Sequence, residues 1–152
     1  MPETVRPRLI LGLGSPHGDD VAGWLTIDVL RRRGVSPSTA RRVSDPTDLW
    51  NWVTIETDLL LIDACTGTGP VGTLRKHVWP HMVLPNNGPR NSHRFPLGEA
   101  LILGRTLELC PETVTVWTIE GQRFEPETIP DPAVVAAAET LAELLVRGEQ
   151  HA

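Results

Sequence analysis

The stretch Arg8–Leu13, RLILGL, runs directly into a glycine-rich turn and then into an amphipathic segment, and this succession limits the possible folds more than any other feature. Its apolar residues are consecutive rather than alternating, the pattern of a central strand covered on both faces. Over residues 20–33 apolar side chains recur at helical spacing. Carboxylates stand at the start, three arginines in the last turn and Gly34 just beyond, in accord with the helix dipole and a glycine stop. The succession then repeats with other letters. Residues 40–44 predict a short strand, 46–55 a helix, and 58–62 (DLLLI) a second buried strand ending on Asp63. Residues 72–78 predict a strand near a sheet edge, because they carry Arg75, Lys76 and His77, and 80–91 a loop rich in Pro, Asn and Gly. A helix is expected over 97–110, a β-branched strand over 113–119, and a closing helix over 132–147 with proline in its first turn and Gly148 behind it. Strands alternating with helices imply crossover connections, a mostly parallel sheet and helices on both faces: an α/β protein.

Size and charge narrow the class. The 152 residues make one domain, with 1–7 and 148–152 expected as flexible tails, and that length buries roughly 70% of the surface of the unfolded chain. Fourteen basic against nineteen acidic residues give a net charge of −5, and the arginines are scattered, so no basic stripe for nucleic acid is expected. No segment approaches the ~20 apolar residues of a membrane span. The first residues lack the apolar core of a secretion signal, and only Cys65 and Cys110 are present, which points to a reducing cytoplasm rather than a disulfide scaffold or a zinc module.

The loop Gly12-Leu13-Gly14-Ser15-Pro16-His17-Gly18-Asp19-Asp20 follows the first strand, where an open α/β sheet binds its ligands. It does not fit a dinucleotide. The G-x-G-x-x-G fingerprint requires glycine where His17 stands, and Asp19 and Asp20 occupy the helix start that a pyrophosphate would approach. At ~4 Å and an effective dielectric near 20, each such like-charge pair costs about 4 kcal/mol. Carboxylates there suit a cation instead. Asp63 is expected on the same sheet edge as Asp20, and His93 stands at another element junction, so two carboxylates and one imidazole form a candidate site for a divalent metal. The structural alternative is that the aspartates cap a helix and His93 is a surface residue.

With those residues in view, the chain resembles the hydrogenase maturation endopeptidases, from about Leu9 to the final helix. LGLGSPHGDDVAG is similar to the family's opening L-G-x-G-N…G-D-D/E-x-x-G, LLLIDAC to its second acidic strand end, NSHRFPLGEALIL to its histidine-bearing segment before a helix, and VTVWTIEGQRFEP to its late strand and following loop. The resemblance implies a three-layer α/β/α sandwich around a mostly parallel twisted sheet, phosphorylase/hydrolase-like. It implies removal of a C-terminal extension from the precursor of a nickel-iron hydrogenase large subunit, with the metal-contacting positions on Asp20, Asp63 and His93. Nickel would come with the substrate, other divalent cations could occupy the site, and Asp20 or Asp63 would serve as general base. Monomeric action on the precursor is expected. The chain departs from the family pattern at Ser15, where Asn is common, and at Val21, where Gly is frequent. It departs further where G-G-T-x-G often follows the next strand: here Asp45-Pro46-Thr47-Asp48, with Asp45, Thr47 and Asp48 as candidate substrate contacts. A proline there fixes φ and adds bulk where glycines would admit a peptide backbone. A recognition or assembly factor without cleavage, and more weakly a small nucleotide-binding module, are the alternatives.

Other residues read as structural. Cys65 is expected to be a buried apolar residue rather than a nucleophile, Asp19 a capping or supporting residue, and Glu99 a solvated helix residue. His77 and His81 are four apart, but Pro80 between them argues against a helical metal pair. Trp24 and Trp117 are expected in the core. Trp50 and Trp52, two apart on a helix, cannot share a face, which leaves one of them partly exposed as a possible partner anchor.

Overall fold

The computed structural model describes residues 6–86 and 95–151. The strands are β1 (Arg8–Leu13), β2 (Ala40–Val43), β3 (Asp58–Cys65), β4 (Leu74–Trp79) and β5 (Val114–Glu120); the helices are α1 (Ala22–Arg32), α2 (Leu97–Thr106) and α3 (Pro132–His151). They build one sheet in the order β2-β1-β3-β5-β4, parallel except for β4, which runs antiparallel to β5. The expected edge position of the strand carrying Arg75 and Lys76 is observed.

Two apolar layers flank the sheet. On one face Ile10, Leu60, Ile62 and Ile119 pack with Ile27 and Leu30 of α1 and with Val134, Ala138 and Leu141 of α3. On the other, Leu9, Leu11, Leu61, Val114 and Val116 pack with Leu97 and Leu101 of α2 and with Leu49. Alternate residues of each strand therefore serve opposite layers, which explains the continuous apolar runs in β1 and β3. The three-layer α/β/α architecture follows. Among the described residues no helix is long and apolar enough to cross a membrane.

Several elements differ from the expectation. The turn expected as a helix over 46–55 is a 3-10 helix, Pro46–Asn51, and the long first helix divides into a 3-10 turn, Gly18–Val21, and α1. α2 stops at Thr106 rather than near residue 110, and α3 continues through Gly148 to His151. Asp63 lies inside β3, which extends to Cys65. Trp24 is half-buried at the sheet margin, where its indole N–H donates to the Val43 carbonyl at 3.1 Å and Arg42 lies over its ring. Trp117 packs, partly buried, against the α1/α3 layer. Trp52 is the exposed member of its pair, with the Arg41 guanidinium above it, while Trp50 bonds the Ala100 carbonyl and fills the space beside Gly104.

One close approach positions the site. A Cβ on Gly23 would lie 2.2 Å from the Leu13 carbonyl oxygen and 2.7 Å from that of Ile62. Only glycine lets the first turn of α1 rest against both Leu13 at the end of β1 and Ile62 within β3. The 3-10 turn just before it, which carries Asp20, is thereby seated against the end of β3.

Candidate functional site

Asp19 and Asp20 are consecutive but do different work. Asp19 is fully buried (0% exposed). Its Oδ2 accepts the backbone N–H groups of Gln122 (2.8 Å) and Arg123 (2.9 Å), and its Oδ1 that of Asp131 (2.8 Å). It therefore ties the loop after β5 to the glycine-rich turn, instead of capping its own helix. The Asp19 N–H donates to the Arg123 carbonyl at 2.6 Å, and a Cβ on Gly121 would lie 2.7 Å from the Asp19 Cβ, so the two loops interlock. Asp20 is half-buried, and its Oδ2 accepts the Ser15 hydroxyl at 2.6 Å.

Asp63 is 1% exposed, and its Oδ1 accepts the N–H of Ala64 at 2.9 Å. Because it follows Leu61 by two along β3, its side chain belongs to the face that α2 covers. Asp63 stands two residues before the end of β3, and the 3-10 turn that carries Asp20 packs against the same strand. His93 lies outside the described residues. Among the described residues no group of three or more His, Cys, Asp and Glu side chains stands together in a metal-holding arrangement. Two carboxylate oxygen donors with an imidazole suit a divalent first-row ion.

The loop after β2 is also at this edge, since the Gly14 N–H donates to the Val43 carbonyl at 3.1 Å. Asp45 caps the 3-10 helix, its Oδ1 accepting both the N–H and the hydroxyl of Thr47 at 2.9 Å, and Pro46 is buried. Asp48 is exposed and Thr47 half-buried.

Sequence reasoning overlooked Glu120. It ends β5, is 5% exposed, and holds the loop after β3: its Oε2 accepts the Gly67 N–H (2.8 Å), and its Oε1 the N–H (2.8 Å) and hydroxyl (2.6 Å) of Thr68. Burial alone would raise its pKa, but the bonds from Thr68, Gly67 and Cys65 outweigh it and hold the carboxyl below its ordinary value of 4.5. A folded pKa below the unfolded one stabilises the protein fully above the ordinary carboxylate range, and that stabilisation is lost as pH falls through the folded value. Thermal unfolding followed between about pH 5 and pH 3 is expected to show a steeper loss for the wild type than for Glu120→Gln; equal slopes would contradict it. The available signal was positional, an acidic residue closing a β-branched strand.

Cys65 is buried, and burial raises its thiol pKa to about 11, with hydrogen bonds from Thr118 and Thr68 offsetting part of the rise and the Glu120 charge adding to it. Such a thiol stays protonated at neutral pH, as a structural residue should. His77 is also buried, and burial, with the Arg75 charge, lowers its pKa and favours the neutral imidazole.

No protein-family model matches the sequence, and no characterised protein matches it by sequence. Solved structures do. The hydrogenase maturating endopeptidase HybD from E. coli superposes with a TM-score of 0.73 at 19% identity, covering 95% of this chain and 93% of that one. A [NiFe] hydrogenase maturation protease, HycI, from Thermococcus kodakarensis KOD1 gives 0.69 at 18% identity, covering 93% and 91%. A hydrogenase 2 maturation peptidase from Thaumarchaeota archaeon SCGC_AB-539-E09 gives 0.64 at 20%, covering 95% and 98%. The chain has the fold of these proteases over nearly its whole length.

Proposed function

We propose that this protein is a cytoplasmic endopeptidase that removes the C-terminal extension of a nickel-iron hydrogenase large-subunit precursor after nickel insertion. What supports the reading is that Asp20 stands on a turn packed against β3, the strand that carries Asp63, in a fold shared over nearly the whole chain with solved hydrogenase maturation proteases. Asp20, Asp63 and His93 would contact the nickel that the precursor brings. Bound there, nickel supplies Lewis acidity for the scissile carbonyl or for a water.

The chain's own groups do the rest. Ser15 orients the Asp20 carboxylate by donating to Oδ2, and the Ala64 N–H fixes that of Asp63. Either carboxylate within hydrogen-bond reach of the attacking water can take its proton, as general base. Thr47 and Asp48 would meet the approaching peptide, and Asp45 keeps their turn closed by accepting from Thr47. A monomer suffices in this scheme, because the precursor supplies both peptide and metal.

Incubation with nickel-loaded precursor, followed by intact-mass spectrometry, tests the reading. The expected result is a precursor shortened at its C-terminus, and none when nickel is left out of the precursor. An intact precursor in a stable complex would replace the protease by a recognition factor, the outcome to which the Asp45–Asp48 departure points.

A further inference from the structure

Residues 29–44 hold five arginines and no carboxylate, in a chain whose net charge is −5. Arginines that are scattered over the sequence as a whole are thus gathered in one place. The stretch covers the end of α1 and the whole of β2, the outermost strand on its side of the sheet. Two of the five are neutralised: Arg42 pairs with Asp28, and Arg33 with Glu143. Arg31, Arg32 and Arg41 have no carboxylate partner among the described residues.

Arg31 and Arg41 are held in place by other means. The Arg41 guanidinium lies over the Trp52 ring, 5.0 Å from its centroid. Stacking uses the face of the guanidinium and leaves the N–H groups in its plane open to an acceptor. Arg31 Nε donates to the Ala40 carbonyl at 3.0 Å, one residue from Arg41. The Ala40 N–H donates in turn to the Ser36 carbonyl at 3.0 Å. Both backbone groups of Ala40 are therefore occupied, so this part of the β2 edge is closed to an added strand and a partner is met by side chains.

Apolar surface adjoins the charges. Trp52 is 39% and Ile55 56% exposed, with Val53 buried between them and the exposed Glu56 bounding the patch. Tryptophan and arginine are the residues that most often carry the energy of an interface, and a ring already pinned by a stacked cation loses little freedom when it is covered. The patch is also continuous with the candidate site. Trp52 caps the 3-10 helix Pro46–Asn51, whose start carries Thr47 and Asp48. At ~2 Å of rise per residue, Trp52 stands about 10 Å from Thr47 along that helix.

We propose that Arg31, Arg41, Trp52 and Ile55 form the docking surface for the body of the precursor, which meets it with carboxylates flanking an apolar side chain. The inference rests on the proposed processing reaction. Unpaired guanidiniums beside bare apolar area complement such a protein surface, whereas a phosphate backbone calls for a longer basic stripe and gains nothing from Ile55.

Single-turnover truncation of nickel-loaded precursor over a range of protein concentrations tests it, because the half-saturating concentration reads docking and the limiting rate reads the chemistry. Arg41→Gln and Trp52→Ala are each expected to raise the half-saturating concentration about tenfold or more, with a limiting rate within about twofold of the wild type. A loosened fold would lower the rate as well, and thermal unfolding of each variant checks that it is folded. Raising NaCl from about 50 to about 200 mM should weaken docking of the wild type several-fold and that of Arg41→Gln less. If the wild type truncates the precursor and both variants saturate within twofold of it, the docking surface is overturned and the processing reaction stands. If the wild type truncates none at any concentration, the processing reaction is overturned and the surface with it. Salt-sensitive binding of duplex DNA that Arg41→Gln abolishes would assign the patch to nucleic acid and overturn the proposal.

Discussion

Asp63→Asn is expected to slow truncation of nickel-loaded precursor by about 10²–10⁴-fold, the range over which a positioned general base or its equivalent contributes. Asparagine keeps the oxygen that accepts the Ala64 N–H at 2.9 Å and nearly the same volume, and removes the negative charge. Asp63 is buried within β3, so unfolding curves separate a loss of cleavage from a loss of fold. Asp20→Asn is expected to behave alike, since the amide can still accept the Ser15 hydroxyl. Single-turnover kinetics followed by mass spectrometry, with unfolding curves on the same samples, provides the check. Cleavage within tenfold of the wild type by either variant would remove that residue from the reaction.

The adjacent residue should give the opposite result. Asp19→Ala withdraws the acceptor of three backbone N–H groups, those of Gln122, Arg123 and Asp131, at a site with no solvent exposure. These bonds are part-buried, so each donor left unpaired costs about 1 kcal/mol, the low end of the usual range, and a loss of about 3 kcal/mol is expected. In a domain of this size that lowers the unfolding temperature by about 10 °C. Asp19→Asn should fall between, because one of its two terminal atoms becomes a donor facing a donor. Denaturant titration reads the difference, and a loss under about 1 kcal/mol for Asp19→Ala would show that the interlocked loops do not depend on this carboxylate. The contrast between neighbours is itself diagnostic: one variant is expected to fold and fail to cleave, the other to lose its fold.

Much of the site was legible because it depends on local order along the chain. An apolar run, a glycine-rich turn and an acidic helix start mark the segment that carries Asp20, and the DLLLI run marks the strand that carries Asp63. Roles that depend on distant partners were not legible. Asp19 looked like a cap or support because helix starts favour aspartate, but its partners lie more than a hundred residues away. His77 was weighed against His81, its neighbour in sequence, whereas its partner is Thr118 on the adjacent strand. The expected helix over 46–55 is shorter because Trp50 turns inward to pack on Gly104 and bond Ala100, a contact with α2.

By itself the sequence determined the α/β class and the succession of strands and helices, since periodicity and loop chemistry are written in residues close together. Only the tertiary structure decided that β5 inserts between β3 and β4 with β4 reversed, and that Thr118 and Glu120 therefore stand beside Asp63 and Cys65. Strand pairing joins residues far apart in the chain through backbone bonds that are alike for every side chain, so its partners carry no local signature.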